Sequence, residues 1–203
     1  MPCPTLSKLP SLACLALLTL ASLLHAAEPI LKDDFSDAQM KGRRAARGPW
    51  QFKDGMATCT QDDELYKKHK DHGPIIFYDL PFTDATLKLS FKAEPGCKSV
   101  VFTANGEGGH IFRFVSSERG TTIRAYPKAN ADHASVELAR GPALKLGEWI
   151  DVSVHLQGGK ATVKIGTDFE KVVEHPDLAS AKTNFSIGYA FSTFSVRGVE
   201  VTK

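Results

Sequence analysis

The most densely charged segment of the sequence runs from Asp62 to His72, and its groups could bind a metal ion. The carboxylates of Asp62 and Asp63 are the kind of oxygen ligand that Ca²⁺ prefers, and His69 could bind a transition metal. The spacing matches neither a calcium-binding EF-hand loop nor a recognised zinc motif. We therefore expect a solvated loop without a cofactor, and Ca²⁺ or another metal at these residues is the alternative interpretation.

A second polar cluster lies between Glu107 and Tyr126 and could hold a sugar. Gly108 and Gly109 would allow a ligand or another backbone to come close. Arg124 and Tyr126 share one face of a predicted strand, because the side chains of a strand alternate between its two faces. An ordinary solvent-exposed face with long amphipathic side chains is the alternative. The ligand-binding candidates are His72, His110, Arg113, Arg124 and Tyr126.

Glycoside hydrolysis would require two carboxyl groups, roughly 5 to 5.5 Å apart in retaining enzymes or 6.5 to 9.5 Å apart in inverting ones. The candidate catalytic acids are Glu107, Glu118 and Asp62, and Asp151 is also available. No cluster of acids on one strand face selects a pair, and the sequence contains no recognisable serine–histidine–aspartate or phosphate-loop motif. The sequence therefore leaves open whether the protein is an enzyme.

The elements that must position these residues are short strands with alternating polarity. Leu87, Leu89 and Phe91 alternate with Lys88 and Ser90, which is typical of a strand with one buried face. No segment after the N-terminus shows a helical period. Further strands are predicted at Ile30 to Phe35, Trp50 to Phe52, Met56 to Thr60, Pro74 to Leu80, Ser99 to Ala104, His110 to Val115, Thr121 to Tyr126, Ser135 to Ala139, Ile150 to Leu156, Ala161 to Ile165, Phe185 to Phe191 and Phe194 to Val201. About a dozen short strands predict an all-β fold, a two-sheet antiparallel sandwich or jelly roll.

Local details of the strand pattern give sharper expectations. Gly158 and Gly159 separate two alternating runs and predict a hairpin. The alternation changes phase near Gly198, which predicts a β-bulge. Trp50 and Trp149 each follow a turn and begin a strand, where a core-capping position is more common than a sugar-stacking one.

Small residues alternate with large ones in the strand from Phe185 to Phe191. Ser186, Gly188 and Ala190 would let a second layer approach closely. His133 and His155 are expected at the surface.

The N-terminus resembles a secretory signal peptide. Lys8 precedes an apolar run from Leu12 to Leu24, and the small residues Ala26 and Ala27 suit cleavage by signal peptidase. A membrane-spanning helix needs about 20 apolar residues, so this run is too short. We expect residues 1–27 to be a signal peptide, residues 28–203 to be one domain without a transmembrane segment, and the protein to be secreted or periplasmic.

The charge balance argues against a nucleic-acid partner. Of the 25 lysines and arginines only Lys8 precedes Glu28, and none of the 23 acids does, so the remaining chain has 24 basic against 23 acidic residues. A dedicated binder of nucleic acid or of anionic membranes normally carries a basic excess.

Two cysteines remain after the predicted cleavage, Cys59 and Cys97. An even pair in an oxidising compartment is a candidate disulfide. Closing a loop of roughly 40 residues would contribute about 3 to 4 kcal/mol in the chain-entropy model. Two separate buried thiols that act as small hydrophobic side chains are the alternative.

Three stretches of turn glycines and core aromatics occur in order along the chain. They are Asp33-Asp34-Phe35 with Gly48 to Gly55, then His72 to Phe91, and then Leu146-Gly147-Glu148-Trp149 with Gly158-Gly159 and Phe194 to Val201. Together they resemble the concanavalin A-like lectin/glucanase superfamily, and within it the 3-keto-disaccharide hydrolase domains of secreted bacterial proteins. Many of those hydrolases carry an Asn-Ser-Gly segment where this chain has Cys97 to Phe102.

Three functional hypotheses follow. The first is an extracytoplasmic sandwich that binds a carbohydrate or glycan. The second, implied by the resemblance, is a hydrolase of 3-keto-glycosides or other glycans. The third is a structural or interaction domain of the cell envelope. Sandwich folds carry all three functions, so the fold alone cannot choose between them.

Overall fold

The structure is a computed structural model that describes residues 28–127 and 134–203. The predicted signal peptide, residues 1–27, and His133 lie outside these ranges. The strands are β1 (Pro29–Asp33), β2 (Arg43–Ala46), β3 (Gln51–Lys53), β4 (Met56–Thr60), β5 (Ile75–Tyr78), β6 (Ala85–Ala93), β7 (Ser99–Gly106), β8 (Gly109–Ser117), β9 (Gly120–Ala125), β10 (Val136–Gly141), β11 (Trp149–Gln157), β12 (Lys160–Ile165), β13 (Phe169–Glu174), β14 (Asn184–Ala190) and β15 (Thr193–Thr202). A short helix α1 (Asp63–Lys68) and a 3-10 helix (Pro176–Ala179) complete the described elements. None of the described helices is long and apolar enough to cross a membrane.

Two antiparallel sheets pack face to face, which confirms the predicted sandwich. The first sheet has the order β13-β12-β11-β6-β15-β4-β3, with β1 also paired to β15. The second sheet has the order β10-β9-β8-β7-β14-β5-β2. Their inner faces form one hydrophobic core, where for example Phe102 stacks on Phe114 and on Phe185 with ring centroids 5.5 and 5.9 Å apart.

The predicted hairpin and bulge are both present. Gly158 and Gly159 turn the chain between β11 and β12 with φ values of +52° and +86°. The register of β15 against β6 shifts between Arg197 and Glu200, and Gly198 there has a φ of +60°. A left-handed residue with no Cβ allows the extra residue of a bulge, so Val199 and Val201 return to the core.

Strands β2 and β13, helix α1 and the 3-10 helix were not predicted. Strand β2 was missed because its basic residues do not show the alternation of a strand with one apolar face. In the structure Arg43 is buried beside Asp33, and Arg44 stacks on Phe77 at 4.8 Å. In strand β13 apolar and polar residues alternate little, because it is an exposed edge strand. Helix α1 has only six residues, too few to show a helical period.

The predicted disulfide is absent, because Cys59 and Cys97 are both free and buried. The two thiols donate to different backbone carbonyls, both at 3.5 Å. Cys59 Sγ donates to the carbonyl of Thr60, and Cys97 Sγ donates to the carbonyl of Ser99. Burial raises the pKa of both thiols. The even number of cysteines indicated a pair, but the alternative of two hydrophobic thiols is what the structure contains.

A buried ion pair joins the two sheets near the N-terminus. Asp33 at the end of β1 accepts hydrogen bonds from Arg43 Nη1 at 2.8 Å, from Tyr78 Oη at 2.8 Å and from the backbone N–H of Phe35 at 2.8 Å. The guanidinium of Arg43 also lies 4.1 Å from the ring centroid of Phe52. Because Arg43 and Tyr78 belong to the second sheet and Asp33 to the first, this ion pair connects the layers.

Candidate functional site

A groove of about 560 Å³ crosses the outer face of the second sheet. Its floor comes from β5, β14, β7 and β8, and its wall comes from α1 and the loop that follows it. We call it the outer groove. Its lining includes Arg47, Tyr66, Asp71, His72, Asn105, His110, Arg113 and Ser186.

The floor of the outer groove is low because β14 carries small residues there. Phe185, Ile187 and Tyr189 point into the core, so the alternation turns Ser186 and Gly188 towards the groove. We predicted that these small residues would admit a second protein layer. In the structure they instead leave room above the sheet.

A β-bulge brings two of the predicted ligand-binding residues together. His110 and Arg113 are three residues apart and would face opposite sides of a regular strand. The register of β7 against β8 shifts between Ala104 and Asn105, so that Asn105 pairs with His110 and Ala104 with Phe112. The extra residue, Ile111, is buried, and His110 therefore lines the same groove as Arg113.

A chain of hydrogen bonds runs from Arg113 across three strands. Arg113 Nη2 lies 2.6 Å from His110 Nε2, His110 Nδ1 lies 2.7 Å from Asn105 Oδ1, and Asn105 Nδ2 lies 2.8 Å from Asn184 Oδ1. A guanidinium can only donate, so His110 Nε2 must accept and Nδ1 must carry the proton. Every bond in the chain then has one donor and one acceptor, which fixes the orientation of all four side chains.

The same geometry keeps His110 neutral. Loss of hydration on burial, followed by the positive charge of Arg113, lowers the pKa of His110 to about 4. Protonation would place a hydrogen on Nε2, directly opposite a guanidinium donor, and would break the chain of hydrogen bonds at its first link.

We therefore expect an NMR titration of His110 to give a pKa near 4 rather than the usual 6.5. Because the pKa is lowered on folding, the contribution to stability is complete above pH 6.5 and is lost as the pH falls through 4. In an Arg113→Gln variant the pKa of His110 should rise; an unchanged value would show that Arg113 does not influence it.

Aromatic rings border the polar chain. Tyr126 makes edge contact with His110 at 5.2 Å between ring centroids, and the Arg113 guanidinium lies 5.5 Å from its ring. A smaller cavity of about 420 Å³ continues from His110 past Tyr126 and Glu107. On the other side of the outer groove, Tyr66 of α1 lies against the exposed Phe191 at 5.2 Å. The site thus offers flat apolar faces on both sides of a row of fixed polar atoms.

The wall of the outer groove is built from the charged segment that suggested a metal site. Asp62 caps α1, because its Oδ1 accepts hydrogen bonds from the backbone of Glu64 and of Leu65 at 2.9 Å. His72 Nδ1 lies within 3.0 Å of the carbonyls of His69 and Lys70, which orients its ring at the groove. Among residues 28–127 and 134–203, no three His, Cys, Asp or Glu side chains are grouped to hold a metal ion, so Asp62, Asp63 and His69 do not form one.

Arg124, which was predicted to bind ligand, lies beside the outer groove but does not line it. It pairs directly opposite Arg113 in the register of β8 with β9. Its Nη1 donates to Ser135 Oγ at 2.9 Å, and its Nη2 lies 3.3 Å from Glu137 Oε2. Arg124 is therefore held by β10 and is not among the residues that line the outer groove.

The candidate catalytic acids do not converge. Glu107 and Glu118 lie in the turns at opposite ends of β8, and nine residues of strand separate such turns by about 30 Å. Asp62 is engaged in capping α1, and Asp151 accepts a hydrogen bond from Ser90 on the first sheet. Among the described residues that line the outer groove, Asp71 is the only carboxylate.

The two tryptophans differ in their environments. Trp50 packs edge-on against Tyr189 and Phe194 at 6.1 and 6.5 Å, as expected for a core-capping residue. Trp149 is half-buried, lies 4.0 Å from the guanidinium of Arg197, and lines a mainly apolar cavity of about 610 Å³ at one end of the sandwich. Neither residue lines the outer groove.

The comparisons with known proteins concern the fold. No protein-family profile and no curated protein matches the sequence. The structure is similar to the carbohydrate-binding module CBM66 from Bacillus subtilis, with a TM-score of 0.59, 10% identity, and coverage of 81% of this chain and 98% of that one.

Two further solved structures have comparable similarity. The CBM2 module of the evolved Dit of Lactobacillus casei BL23 phage J-1 has a TM-score of 0.65, 9% identity, and coverage of 86% and 95%. SCLam, a non-specific endo-β-1,3(4)-glucanase from family GH16, has a TM-score of 0.60, 10% identity, and coverage of 87% and 91%. At these identities the likeness shows a shared fold, the jelly-roll sandwich.

Proposed function

We propose that the protein is a glycan-binding sandwich and that the outer groove is its binding site. The observation that carries this proposal is the fixed chain from Arg113 through His110 and Asn105 to Asn184, bordered by the ring of Tyr126. A sugar presents hydroxyl groups around a ring with apolar C–H faces. Oriented planar polar groups beside an aromatic ring are complementary to both features, and their fixed orientation reduces the entropy lost on binding.

Binding is better supported than hydrolysis. The usual glycosidase mechanism needs two carboxyl groups within 10 Å or so of each other, and Asp71 is the one carboxylate among the described lining residues. The solved structures of similar fold include two carbohydrate-binding modules and a glucanase, so the choice rests on the carboxylates and not on the fold.

We propose further that the protein acts outside the cytoplasm. Support comes from the sequence of residues 1–27, with Lys8, the apolar run and Ala26-Ala27. Expression of the full chain in a bacterial host, followed by fractionation and N-terminal sequencing, tests this. A mature protein that begins near Glu28 in the periplasm or medium is expected, and an uncleaved cytoplasmic chain would contradict the proposal.

The glycan site is tested by affinity electrophoresis in gels that contain a broad set of polysaccharides. The protein should be retarded by at least one of them, and His110→Ala should weaken that retardation about 10-fold or more, because it removes the central link of the chain. His155→Ala is the matched control, since His155 is a partly buried histidine hydrogen-bonded to Thr86 on the first sheet. Absence of any retardation would overturn the proposed function, and equal retardation of both variants would overturn the proposed site.

A further inference from the structure

The arginines of the described residues fall into two groups, those that pair with an acid and those that do not. Arg43, Arg44, Arg124 and Arg140 each lie within 3.3 Å of a carboxylate oxygen. Within residues 28–127 and 134–203, no carboxylate lies within ion-pair distance of the remaining arginines, which are Arg47, Arg113, Arg119 and Arg197. Two of these unpaired residues, Arg47 and Arg113, line the outer groove.

Arg113 keeps most of its hydrogen-bonding capacity. A guanidinium has five N–H groups. Nε donates to Thr103 Oγ1 at 3.1 Å and Nη2 donates to His110 Nε2 at 2.6 Å, and both acceptors are uncharged. No carboxylate among residues 28–127 and 134–203 pairs with this positive charge, while two hydrogen bonds fix its orientation.

Arg47 supplies a second positive charge at the other side of the outer groove. It follows β2, whereas Arg113 lies on β8, and four strand spacings separate these strands by about 19 Å. Its backbone is held in the left-handed region at a φ of +61°. A polymer chain laid across the strands can contact both residues. Against these two charges the described lining residues supply one carboxylate, that of Asp71.

We propose that the ligand of the outer groove is an acidic polysaccharide whose sugars carry carboxylate groups, with Arg113 and Arg47 binding successive carboxylates along the chain. The inference rests on the proposed glycan-binding function and names its substrate class. A guanidinium binds a carboxylate through two parallel hydrogen bonds, which gives the contact a defined geometry as well as a charge attraction. Net charge of the whole protein does not explain the preference, because basic and acidic residues after residue 27 are nearly balanced.

The test compares each uronate polymer with its own uncharged form. Polygalacturonate, alginate and hyaluronan are measured beside their carboxyl-reduced counterparts, and dextran sulfate beside dextran, by calorimetry on the full chain. At least one uronate should bind about 10- to 100-fold more tightly than its reduced form, the range expected for hydrogen bonds to a charged group. This preference should decrease as salt is added.

Variants locate the preference in the outer groove. Arg113→Gln and Arg47→Gln should each lower affinity for the uronate by more than they lower affinity for the reduced polymer, so that the two affinities approach each other. Arg119→Gln is the control, because Arg119 is also unpaired but lies in the turn between β8 and β9, outside the groove. Thermal melts of the variants should match that of the parent protein within a few degrees, which separates lost binding from lost folding.

The outcomes distinguish the inference from the function on which it rests. Equal or tighter binding to the reduced polymers would overturn the acidic ligand and leave glycan binding in place. Tighter binding to dextran sulfate than to every uronate would overturn the carboxylate. An equal loss in Arg119→Gln would assign the preference to general charge, and binding to no polymer would overturn both proposals.

Discussion

Replacing Asp33 by asparagine should destabilise the protein by about 3 to 5 kcal/mol. The change keeps the size of the side chain but removes the charge opposite Arg43, whose side chain is 2% exposed. Arg43 would then be a buried cation with only neutral groups beside it in place of the carboxylate, such as the amide at position 33, the carbonyl of Asp37 and the faces of Phe35 and Phe52. A buried charge without its partner costs far more than the pair contributes when intact.

The adjacent residue provides a matched control. Arg44 makes a two-point ion pair with Asp79 at 2.6 and 2.8 Å, but the two side chains are 55% and 46% exposed. Asp79→Asn should therefore cost no more than about 1 kcal/mol. Urea unfolding of Asp33→Asn and Asp79→Asn measures the two losses in the free energy of unfolding. Similar losses in the two would show that burial does not control the contribution of Arg43.

A double variant separates the pair from the unpaired charge. In Asp33→Asn with Arg43→Met, no charge remains buried, and the methionine can still contact Phe52. The loss of stability should be smaller than the sum of the two single losses, because each single variant leaves buried and unpaired the charge that the other substitution removes. An additive result would mean that Asp33 and Arg43 stabilise the sandwich independently.

The sequence was sufficient for the fold because alternation reports which face of a strand is buried. Val152, Val154 and Leu156 alternate in the sequence and are all buried in the structure. The same reasoning missed β2, since the burial of Arg43 depends on an acid ten residues earlier that no local pattern connects to it. Strand β2 was therefore missed because the partner that buries Arg43 is distant in sequence.

The candidate site was predicted in part for a related reason. His110, Arg113 and Tyr126 were identified by residue type, and the structure brings them together. Asn105 was missed, because its role depends on the bulge at Ile111 that pairs it with His110. Arg124 was predicted with them but does not line the groove, and only the register of β9 with β10 shows that Glu137 lies beside it. Residue types could be identified from the sequence, but strand register decided which of them meet.

Among substitutions in the wall of the outer groove, we expect Gly73→Ala to have the largest effect on stability. A Cβ at this position would lie 2.0 Å from the backbone oxygen of Tyr189 and 3.2 Å from its carbonyl carbon. Both are backbone atoms of β14 and cannot rotate away. Gly73→Ala must therefore push the segment before β5 off the sheet, which strains the hydrogen bond from Tyr189 N to Pro74 O at 3.2 Å.

We expect Gly73→Ala to lower the free energy of unfolding by about 1 to 3 kcal/mol or more, the range for a group inserted where no space exists. Asp71 and His72 precede Gly73 and line the groove, so ligand affinity should fall as well. Gly108→Ala is the stability control, because a Cβ there meets nothing within 4 Å and should change stability by no more than about 0.5 kcal/mol. If the two variants melt at the same temperature, the close approach of Gly73 to β14 does not hold the wall in place. If Gly73→Ala melts at a lower temperature but binds glycan with unchanged affinity, the wall is not part of the binding site.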